Sequence, residues 1–407
     1  MEGKRLIQRL SMRNFLSYGS EGASIDLLPL NVLIGPNASG KSNLIEALAV
    51  LRATEGDLAG WIRQGGGIGE YIWKGQTDTP IASLDAWLEE PDALFPPRPF
   101  RYSLSISEIR DRLQIVSETT GFEGQQLGTV SRDPEIFYHF ANGHAVIAHR
   151  TWTEDGSEYK GDAREIRIQD LKLDQSILSQ RRDPDTYPEI TYLSQQFGRI
   201  AIFQEWSFGR RTLLRGSQPT DLPTDFLLPD GSNFVLVLHD LLQRSDTDEK
   251  LVEHLRRFYD AARRIRTRVY GGRIELVIEE ESGVQIPAAR LSDGTLRYLA
   301  LLTILLHPSP PPLVCIEEPE LGLHPDILPI IAELLLDAST RTQLVVTTHS
   351  DALVSALSEV PESIVVCEST IRGTELRRLD RDALSEWLNQ YSLGELWRIG
   401  GIGGTRW

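Results

Sequence analysis

The stretch "NVLIGPNASGKSNLIEAL", residues 31–48, decides the fold of this chain. It places the pattern GxxxxGK[ST] between Gly35 and Ser42, after an apolar strand-like run and before residues at helical spacing. Glycines let the backbone turn its N–H groups toward a polyphosphate, and the positive end of the following helix favours the same anion. The pattern predicts a phosphate-binding loop. The alternative is a glycine-rich strand–helix turn without a ligand.

The residue types in this loop suggest a role for each side chain. Lys41 is expected to reach the β- and γ-phosphates of ATP, and the Ser42 hydroxyl is expected to bind Mg²⁺. ATP and Mg²⁺ are therefore the predicted ligands. The residues of the loop expected to contact the nucleotide are Gly35, Asn37, Ser39, Gly40, Lys41, Ser42 and Asn43.

Two later apolar strands also end in polar groups. The stretch "PLVCIEEPELGLHPD" (312–326) ends its strand at Glu317 and Glu318. In a phosphate-loop enzyme the first acid holds the metal, and the second orients and deprotonates the attacking water. The stretch "QLVVTTHSDAL" ends near His349, which can sense the γ-phosphate. The alternatives are two surface acids and a histidine that caps a turn.

Strands and helices alternate through the second half of the chain, which indicates a parallel α/β sheet. Strands are predicted at 313–317, 343–348 and 363–368, with helices at 295–306, after Pro325 and at 351–358. The residues before the phosphate loop read as strands. We predict an α/β phosphate-loop NTPase with a mixed sheet core, an N-terminal antiparallel β part and an inserted α-helical lobe. The predicted boundaries are 1–120, 121–285 and 286–407.

Composition limits the remaining possibilities. Of 407 residues, 42 are Lys or Arg and 58 are Asp or Glu, which gives a formal charge of −16. This balance argues against a protein coated with nucleic acid but allows a local basic groove. No run reaches the ~18 apolar residues of a membrane span. The two cysteines and the absence of a signal-peptide pattern make the cytoplasm the expected location.

The stretch "ARLSDGTLRYLALL" (289–302) opens an apolar helix with a Ser-Asp-Gly turn. Together, these motifs resemble the ABC-type ATPase heads of the RecF, SMC and overcoming-lysogenization-defect (OLD) proteins. The match is a Walker A loop at 35–42, a signature at 291–295, a Walker B strand at 313–318 and a switch histidine at 349. Stretches such as "RQGGGIGEYIWKGQ" and "SLGELWRIGGIGGTRW" resemble bacterial stand-alone predicted ATPases with RecF-like heads.

The resemblance implies a site shared by two subunits. In such heads the signature caps the γ-phosphate held by a partner head, so Ser292 and Gly294 are expected to act in trans within an ATP-bound homodimer. The alternative for Ser292 is a simple helix cap. Gln204, after a strand of the inserted lobe, is expected to reach Mg²⁺ with Ser42 and Glu317; a solvent-facing glutamine is the alternative. Most relatives carry Asp where this chain has Glu317.

An arginine-rich segment lies between the phosphate loop and the signature. Residues 256–273 contain seven Arg and one Asp. A single helix is predicted over 248–272, with Arg257, Arg264 and Arg268 on one side. These arginines are candidates for contact with a DNA backbone. The alternative is a solvated face paired with nearby glutamates such as Glu279 to Glu281.

Three functions are compatible with these motifs. The first is an ATP-gated protein that acts on DNA in repair or phage defence. The second is an ATPase that restrains or activates a separately encoded effector, such as a nuclease or a toxin, without direct DNA binding. The third, a transporter subunit, is weakest because no membrane partner is implied and the LSGGQ sequence is absent. A fused OLD-type nuclease is also disfavoured, since only 58 residues follow His349.

Overall fold

The structure is a computed structural model that describes residues 3–75, 81–89, 99–122, 136–152, 159–204, 206 and 209–404. Its strands are β1 Ile7–Arg13, β2 Ala23–Asp26, β3 Leu30–Ile34, β4 Ala82–Leu88, β5 Phe100–Ile109, β6 Arg112–Phe122, β7 Ile136–Ala141, β8 His144–Trp152, β9 Tyr159–Ile166, β10 Ala201–Phe203, β11 Gln218–Pro219, β12 Ala262–Tyr270, β13 Arg273–Glu280, β14 Gln285–Pro287, β15 Leu313–Glu317, β16 Gln343–Thr347, β17 Ile364–Thr370 and β18 Gly373–Arg378.

The α-helices are α1 Lys41–Ala53, α2 Leu58–Gln64, α3 Ile68–Tyr71, α4 Ile177–Gln180, α5 Pro188–Gly198, α6 Phe234–Leu242, α7 Ser245–Phe258, α8 Asp293–Leu305, α9 Leu328–Ser339, α10 Asp351–Ala356, α11 Arg381–Leu388 and α12 Leu393–Arg398. None of the helices in this described part of the chain is long and apolar enough to cross a membrane.

A central sheet carries the motifs in the strand order β10-β15-β16-β3-β17-β18. The first five strands run parallel, and β18 pairs antiparallel with β17. The strand before the phosphate loop and the strand that ends at the acidic pair are therefore separated only by β16, the strand before His349. Since parallel strands end at one edge of a sheet, these motifs share that edge. The strands and helices predicted between residues 295 and 368 are confirmed, with small shifts at their ends.

The central sheet is buried on both faces. Along β15, Leu313 and Cys315 enter one apolar cluster, while Val314 and Ile316 enter the other. The first cluster contains α1 and the antiparallel strands, and the second contains α6, α8, α9 and α10. A strand covered on both faces is apolar at consecutive positions, which explains the unbroken apolar runs before the motifs.

The N-terminal part is an antiparallel sheet with the order β2-β1-β4-β5-β6-β7-β8-β9. An antiparallel β part was predicted up to residue 120, but β7, β8 and β9 extend the sheet into the segment predicted to be an inserted α-helical lobe. The buried amide of Gln343, at the start of β16, ties this sheet to the central one. Its Oε1 accepts from the backbone N–H groups of Leu6 (3.0 Å) and Ile7 (2.9 Å), and its Nε2 donates to the Ile7 carbonyl (2.8 Å). The two sheets are thus joined by a fully satisfied buried polar side chain.

The single helix predicted over 248–272 is wrong in its second half. Helix α7 ends at Phe258, and the next residues form β12, paired antiparallel with β13. Gly271 (φ 56°) and Gly272 (φ 73°) make the connecting turn. Two consecutive residues with positive φ form the tight turn that suits a hairpin, so "GG" marks a hairpin and not a helix end. Strand β13 also pairs antiparallel with β14.

Candidate functional site

The phosphate loop joins the buried strand β3 to the start of α1. Gly40 precedes the helix with φ 93°, in the left-handed region, and a Cβ there would lie 2.3 Å from the Thr374 hydroxyl oxygen. Only glycine fits both the backbone conformation and the space. The loop therefore has the shape that the GxxxxGK[ST] spacing predicts, with the N-terminus of a 13-residue helix open at its end.

Two polar side chains of the loop face inward. The Lys41 ammonium donates to the carbonyls of Gly35 (2.8 Å) and Pro36 (2.9 Å), which places its positive charge within the loop. The Ser39 hydroxyl is buried and makes no hydrogen bond within the described residues. Asn37 and Ser42 are exposed at the mouth. A buried hydroxyl without a partner, beside a buried ammonium, fits a site that receives oxygen atoms from a ligand.

Residues that the motif pattern did not reveal support the loop from below. Tyr18 donates its hydroxyl hydrogen to the Gly40 carbonyl (3.0 Å). The Asn43 amide donates to the Ser17 hydroxyl (2.7 Å), which also accepts from Thr374 (2.7 Å). Asn43 thus faces the protein, and the nucleotide contact predicted for it remains a prediction. The only sequence signal for Ser17 and Tyr18 was the turn "SYG", which has no recognisable motif.

The first acid of the pair lies against the magnesium-binding serine predicted from the loop. Glu317 ends β15, and its carboxylate lies close to the Ser42 hydroxyl. Burial raises the pKa of the Glu317 carboxyl, and the neighbouring charge of Glu318 raises it further. The Oε1 atom of Glu317 is buried and has no hydrogen bond within the described residues. A desolvated carboxylate with an open oxygen is a favourable position for a cation.

Gln204 lies beside this carboxylate. Strand β10 runs parallel to β15 with Phe203 opposite Ile316, so the next residue of each strand, Gln204 and Glu317, stand at the same level. Both line one cleft of about 1030 Å³. The structure therefore brings together the three residues that the sequence proposed as metal ligands. Glu205, beside Gln204, lies outside the described residues.

Glu318 has an unusual backbone conformation. Its φ of 45° lies in the left-handed region, which costs a residue with a Cβ about 1–2 kcal/mol. Its N–H donates to the Thr347 carbonyl at 3.0 Å, and its Oε1 lies 3.7 Å from His349 Nε2. The strain turns its carboxylate away from the strand direction, and such strain concentrates at functional sites. Glu318, predicted to deprotonate the attacking water, and His349, predicted to sense the γ-phosphate, are thus neighbours.

The signature turn is an exposed helix start. The Ser292 hydroxyl accepts from the Thr295 N–H at 3.0 Å, so Ser292 does cap α8. Arg215 binds Asp293 and holds the pKa of that carboxyl below its usual value. A Cβ on Gly294 would lie 3.0 Å from the Gly322 carbonyl, in the loop after Glu318. The turn is therefore braced against the loop that follows the acidic pair, while Ser292 itself remains open to solvent.

The arginine-rich segment differs from the prediction. Arg257 lies on α7 and pairs with Glu333 at 2.9 Å, whereas Arg264 and Arg268 lie on β12. The three arginines therefore do not share a helix face. Across the hairpin, the pairs within 4 Å are Arg266–Glu279 (2.6 Å), Arg263–Glu279 (3.7 Å), Arg268–Glu275 (3.7 Å) and Arg256–Glu281 (3.0 Å). Glutamates named as the alternative partners offset much of this positive charge.

These groups can bind a phosphorylated ligand with a divalent cation. The described residues contain no group of three or more His, Cys, Asp or Glu side chains that could hold a metal. The available ligands are instead one hydroxyl, one carboxylate and one amide oxygen, from Ser42, Glu317 and Gln204. Oxygen ligands with one carboxylate suit Mg²⁺, which normally keeps waters and takes further oxygens from substrate phosphates. The site therefore fits a magnesium-bound nucleotide.

Comparison with known proteins gives a family and a fold. Residues 30–355 match the sequence model of a family described as "AAA domain, putative AbiEii toxin, Type IV TA system". A comparison with curated protein sequences finds no match. Among solved structures, an SMC head bound to the C-terminal winged-helix domain of ScpA is similar, with a TM-score of 0.55 and 15% identity. The match covers 94% of this chain and 99% of that chain.

Two archaeal SMC heads are also similar. The head of Pyrococcus furiosus with an extended coiled coil, bound to the C-terminal domain of ScpA, gives a TM-score of 0.50, 12% identity and coverage of 95% of this chain and 99% of that chain. The head of Pyrococcus yayanosii with a coiled coil and joint gives the same values. At these identities the likeness concerns the fold alone: it is that of an SMC-type phosphate-loop NTPase head, as predicted.

Proposed function

The chain belongs to the family of AAA domains whose sequence model it matches over residues 30–355, and from that membership we propose that it binds and hydrolyses ATP. One observation carries the proposal. The hydroxyl of Ser42, at the start of the phosphate-loop helix, lies close to Glu317, at the end of β15, and Gln204 stands at the same level just after the adjacent strand. A glycine-rich turn that bound no nucleotide would not require Ser42, Glu317 and Gln204 to lie near one another.

Within this proposal the phosphate loop holds the nucleotide. Its backbone N–H groups and the start of α1 face the phosphates, and Lys41 neutralises the β- and γ-phosphates. Ser42, Glu317 and Gln204 would hold Mg²⁺, directly or through water. When bound, Mg²⁺ supplies positive charge that offsets the negative charge developing on the phosphate oxygens. Glu317 is one methylene longer than aspartate, which places its oxygens closer to the helix start.

Glu318 is proposed as the general base. Its carboxylate lies 3.7 Å from His349 Nε2, so both side chains face one position where a water could attack the γ-phosphate. Glu318 would take the proton of that water as its oxygen bonds to the γ-phosphorus and the bond from that phosphorus to the bridging oxygen breaks, releasing ADP. His349 would contact the γ-phosphate. General-base catalysis contributes about 10²–10⁴-fold to such reactions.

We propose that two copies of the chain complete each site. The support is the exposed Ser292 at the start of α8, the single copy of each motif, and the resemblance to heads whose signature acts in trans. The Ser292 hydroxyl, the Gly294 N–H and the helix start would together contact the γ-phosphate bound to the other copy. The helix cap formed by Ser292 is compatible with this role, because a hydroxyl can accept one hydrogen bond and donate another.

The Glu318→Gln variant tests the proposed function. It keeps the size of the side chain but removes the base, so ATP binding should persist while turnover falls about 10²–10⁴-fold. ATP should then hold the variant as a dimer, measurable by light scattering. Lys41→Ala is the matched control and should lose ATP affinity. Turnover of Glu318→Gln at the wild-type rate would contradict the role of Glu318, and unchanged ATP affinity of Lys41→Ala would contradict the phosphate loop.

One candidate target of the ATPase is a separately encoded effector protein, and the other is DNA. The effector is the candidate that the structure favours. The ion pairs of the arginine-rich segment favour it over direct DNA binding, because the carboxylates of Glu275, Glu279 and Glu281 oppose the attraction of phosphates to that surface. The family description names a toxin–antitoxin system, and a toxin is one kind of separately encoded effector. A role on DNA in repair or phage defence remains the other candidate, and the test is given in the Discussion.

A further inference from the structure

Arg297 is the largest fully buried side chain in the described structure, with 0% of its surface exposed. It lies on α8, five residues after Ser292, and its guanidinium points away from the signature turn toward the nucleotide-binding edge of the sheet. There its Nη2 donates to the main-chain carbonyl of Glu318, and its central carbon lies 4.6 Å from the centre of the Trp206 ring. A buried guanidinium is costly unless specific partners hold it, so its position calls for a function.

Arg297 completes the fixation of the strained residue Glu318. The peptide group before Glu318 is held by the bond from its N–H to the Thr347 carbonyl, at 3.0 Å. The peptide group after it is held by Arg297. A residue at φ 45° keeps that conformation only where its surroundings hold it on both sides. Without the guanidinium, the Glu318 carbonyl keeps only the bond from the Leu321 N–H (3.0 Å), which comes from its own loop, so the backbone that directs the Glu318 carboxylate is held less firmly.

The same guanidinium lies next to the groups that hold His349. Burial lowers the pKa of Arg297 to about 10, and the negative charges of Glu320 and Glu318 partly oppose that fall. Oε1 of Glu320 accepts from the His349 N–H (2.7 Å) and from the Thr348 hydroxyl (2.7 Å). Arg297 therefore contacts the backbone of the proposed base, and its charge interacts with the carboxylate that fixes the turn carrying the histidine.

We propose that Arg297 is a positioning residue that sets Glu318, and through Glu320 the turn of His349, for hydrolysis of the ATP bound to its own chain. This inference rests on the proposed function and deepens it. It specifies that Arg297, although it lies on the signature helix, serves the site of its own subunit and not the partner's site. The competing role is support of the signature turn, which would serve the partner's ATP.

The homodimer of Arg297→Met gives the first measurement. Methionine fills a similar volume without the donor or the charge. We expect the KM for ATP to change less than about twofold while kcat falls about 100-fold, as expected for a misplaced catalytic group. Arg297→Lys, which keeps one donor, should recover part of the loss. The matched control is Arg378→Met, which removes a half-buried arginine, bonded to the carbonyls of Glu362 and Asp26, and should leave kcat unchanged.

Two purified mixed dimers then separate the two roles. In the first, Arg297→Met is paired with Lys41→Ala, so ATP binds only to the chain that lacks Arg297. In the second, the wild-type chain is paired with the double variant Lys41→Ala/Arg297→Met, so ATP binds only to the chain that keeps Arg297. The rate of each is compared with that of a wild-type/Lys41→Ala dimer. We expect the second dimer to match this reference and the first to fall about 100-fold below it.

The reverse order, an active first dimer and an inactive second, would show that Arg297 serves the partner's site and would overturn the inference alone. Loss of activity in both mixed dimers would show that Arg297 only supports the fold, and would also overturn the inference. So would an equal loss of kcat and of melting temperature in the Arg297→Met and Arg378→Met homodimers. A wild-type protein whose turnover does not depend on Glu318 would overturn the proposed function, and this inference with it.

Discussion

At the scale of single residues, Glu317 shows how the fold prepares a cation site. The carboxylate is taken out of water by the surrounding strands and stands next to Glu318, and both effects raise its pKa. A protein that only needed a stable core would gain from an apolar residue here. The cost is offset once a cation binds between Glu317 and the phosphates.

Glu317→Gln should therefore separate metal binding from nucleotide binding. At an ATP concentration about 100 times its dissociation constant, ligand binding stabilises the folded chain by about 2.7 kcal/mol. We expect Mg²⁺ to increase this stabilisation in the wild type and in Glu318→Gln but not in Glu317→Gln. Thermal unfolding with ATP, with and without Mg²⁺, measures it. An undiminished Mg²⁺ effect in Glu317→Gln would show that this carboxylate is not a ligand.

Glu118 is a buried acid of a different kind. It lies in the core of the antiparallel sheet, 2% exposed, and accepts hydrogen bonds from Ser176, Tyr102 and the Ile177 N–H. Burial is the largest effect and raises the pKa of its carboxyl, while the hydrogen bonds partly oppose the rise. The folded chain therefore holds the proton of Glu118 more tightly than the unfolded chain does.

The pH dependence of unfolding follows from this sign. The stabilising contribution of protonated Glu118 is complete below about pH 4.3, the unfolded value, and is lost as the pH rises through the higher native pKa. Glu118→Gln stays neutral at every pH. As the pH rises through that window, its free energy of unfolding should increase relative to that of the wild type by up to about 1.4 kcal/mol per pH unit. Urea unfolding at several pH values measures the difference. A difference independent of pH would contradict the raised pKa.

At the scale of elements, motifs placed at the ends of strands were predictable. A phosphate loop, an acidic pair and a histidine each follow a short apolar run, and a parallel sheet brings such ends to one edge. The residues that support them were not predictable, because each comes from a distant element. Thr374 reaches the phosphate loop from β18, and Arg297 reaches Glu318 from α8. No local pattern marks such a contact.

The boundary between α7 and β12 shows a second limit of pattern reading. Leu251, Leu255, Phe258, Ala262 and Ile265 are spaced as one helical stripe. The structure divides them between a helix and a strand, since Ile274, Leu276 and Ile278 of β13 need a partner strand beside them. The pairing of β12 with β13 therefore outweighed the helical spacing of the apolar residues, and the arginines of β12 lie opposite glutamates of β13.

Charge reversal on β12 tests the DNA hypothesis. Because the opposing glutamates offset its charge, we expect weak binding of duplex DNA by the ATP-bound protein, and little change on Arg264→Glu/Arg268→Glu. Titration of a labelled duplex at several salt concentrations measures both. Binding that weakens steeply with salt and disappears in the double variant would establish this strand as a DNA-backbone contact and favour the DNA hypothesis over the effector hypothesis.

At the scale of the whole molecule, the two halves of an ATP site lie at different places in the chain. In the proposed function, the phosphate loop, Glu317 and Gln204 of one chain would form one half of the site, and the exposed start of α8 of the partner chain would supply the other half. The overall fold was predictable from the motifs and their order, because few folds place these strand ends together. The β-strand content of residues 121–285 was not, since hairpins there lack a strong local signal.

The central claim is that Ser292 serves the nucleotide of the partner chain. Ser292→Arg should place a large cation at the contact between the two copies and block hydrolysis, while each chain still binds ATP. A dimer of Ser292→Arg with Lys41→Ala contains one intact phosphate loop facing one intact signature. A dimer of wild type with the double variant Ser292→Arg/Lys41→Ala contains none.

The ATPase rates of these two mixed dimers, isolated with different tags on the two chains, test the claim most directly. If Ser292 acts in trans, the first dimer should turn over at the rate of one working site, while the second should be inactive. If Ser292 only caps its own helix, the order reverses: the wild-type chain of the second dimer keeps its activity, and the first dimer has none. That reversed result, or full activity in a strictly monomeric preparation, would contradict the two-chain site.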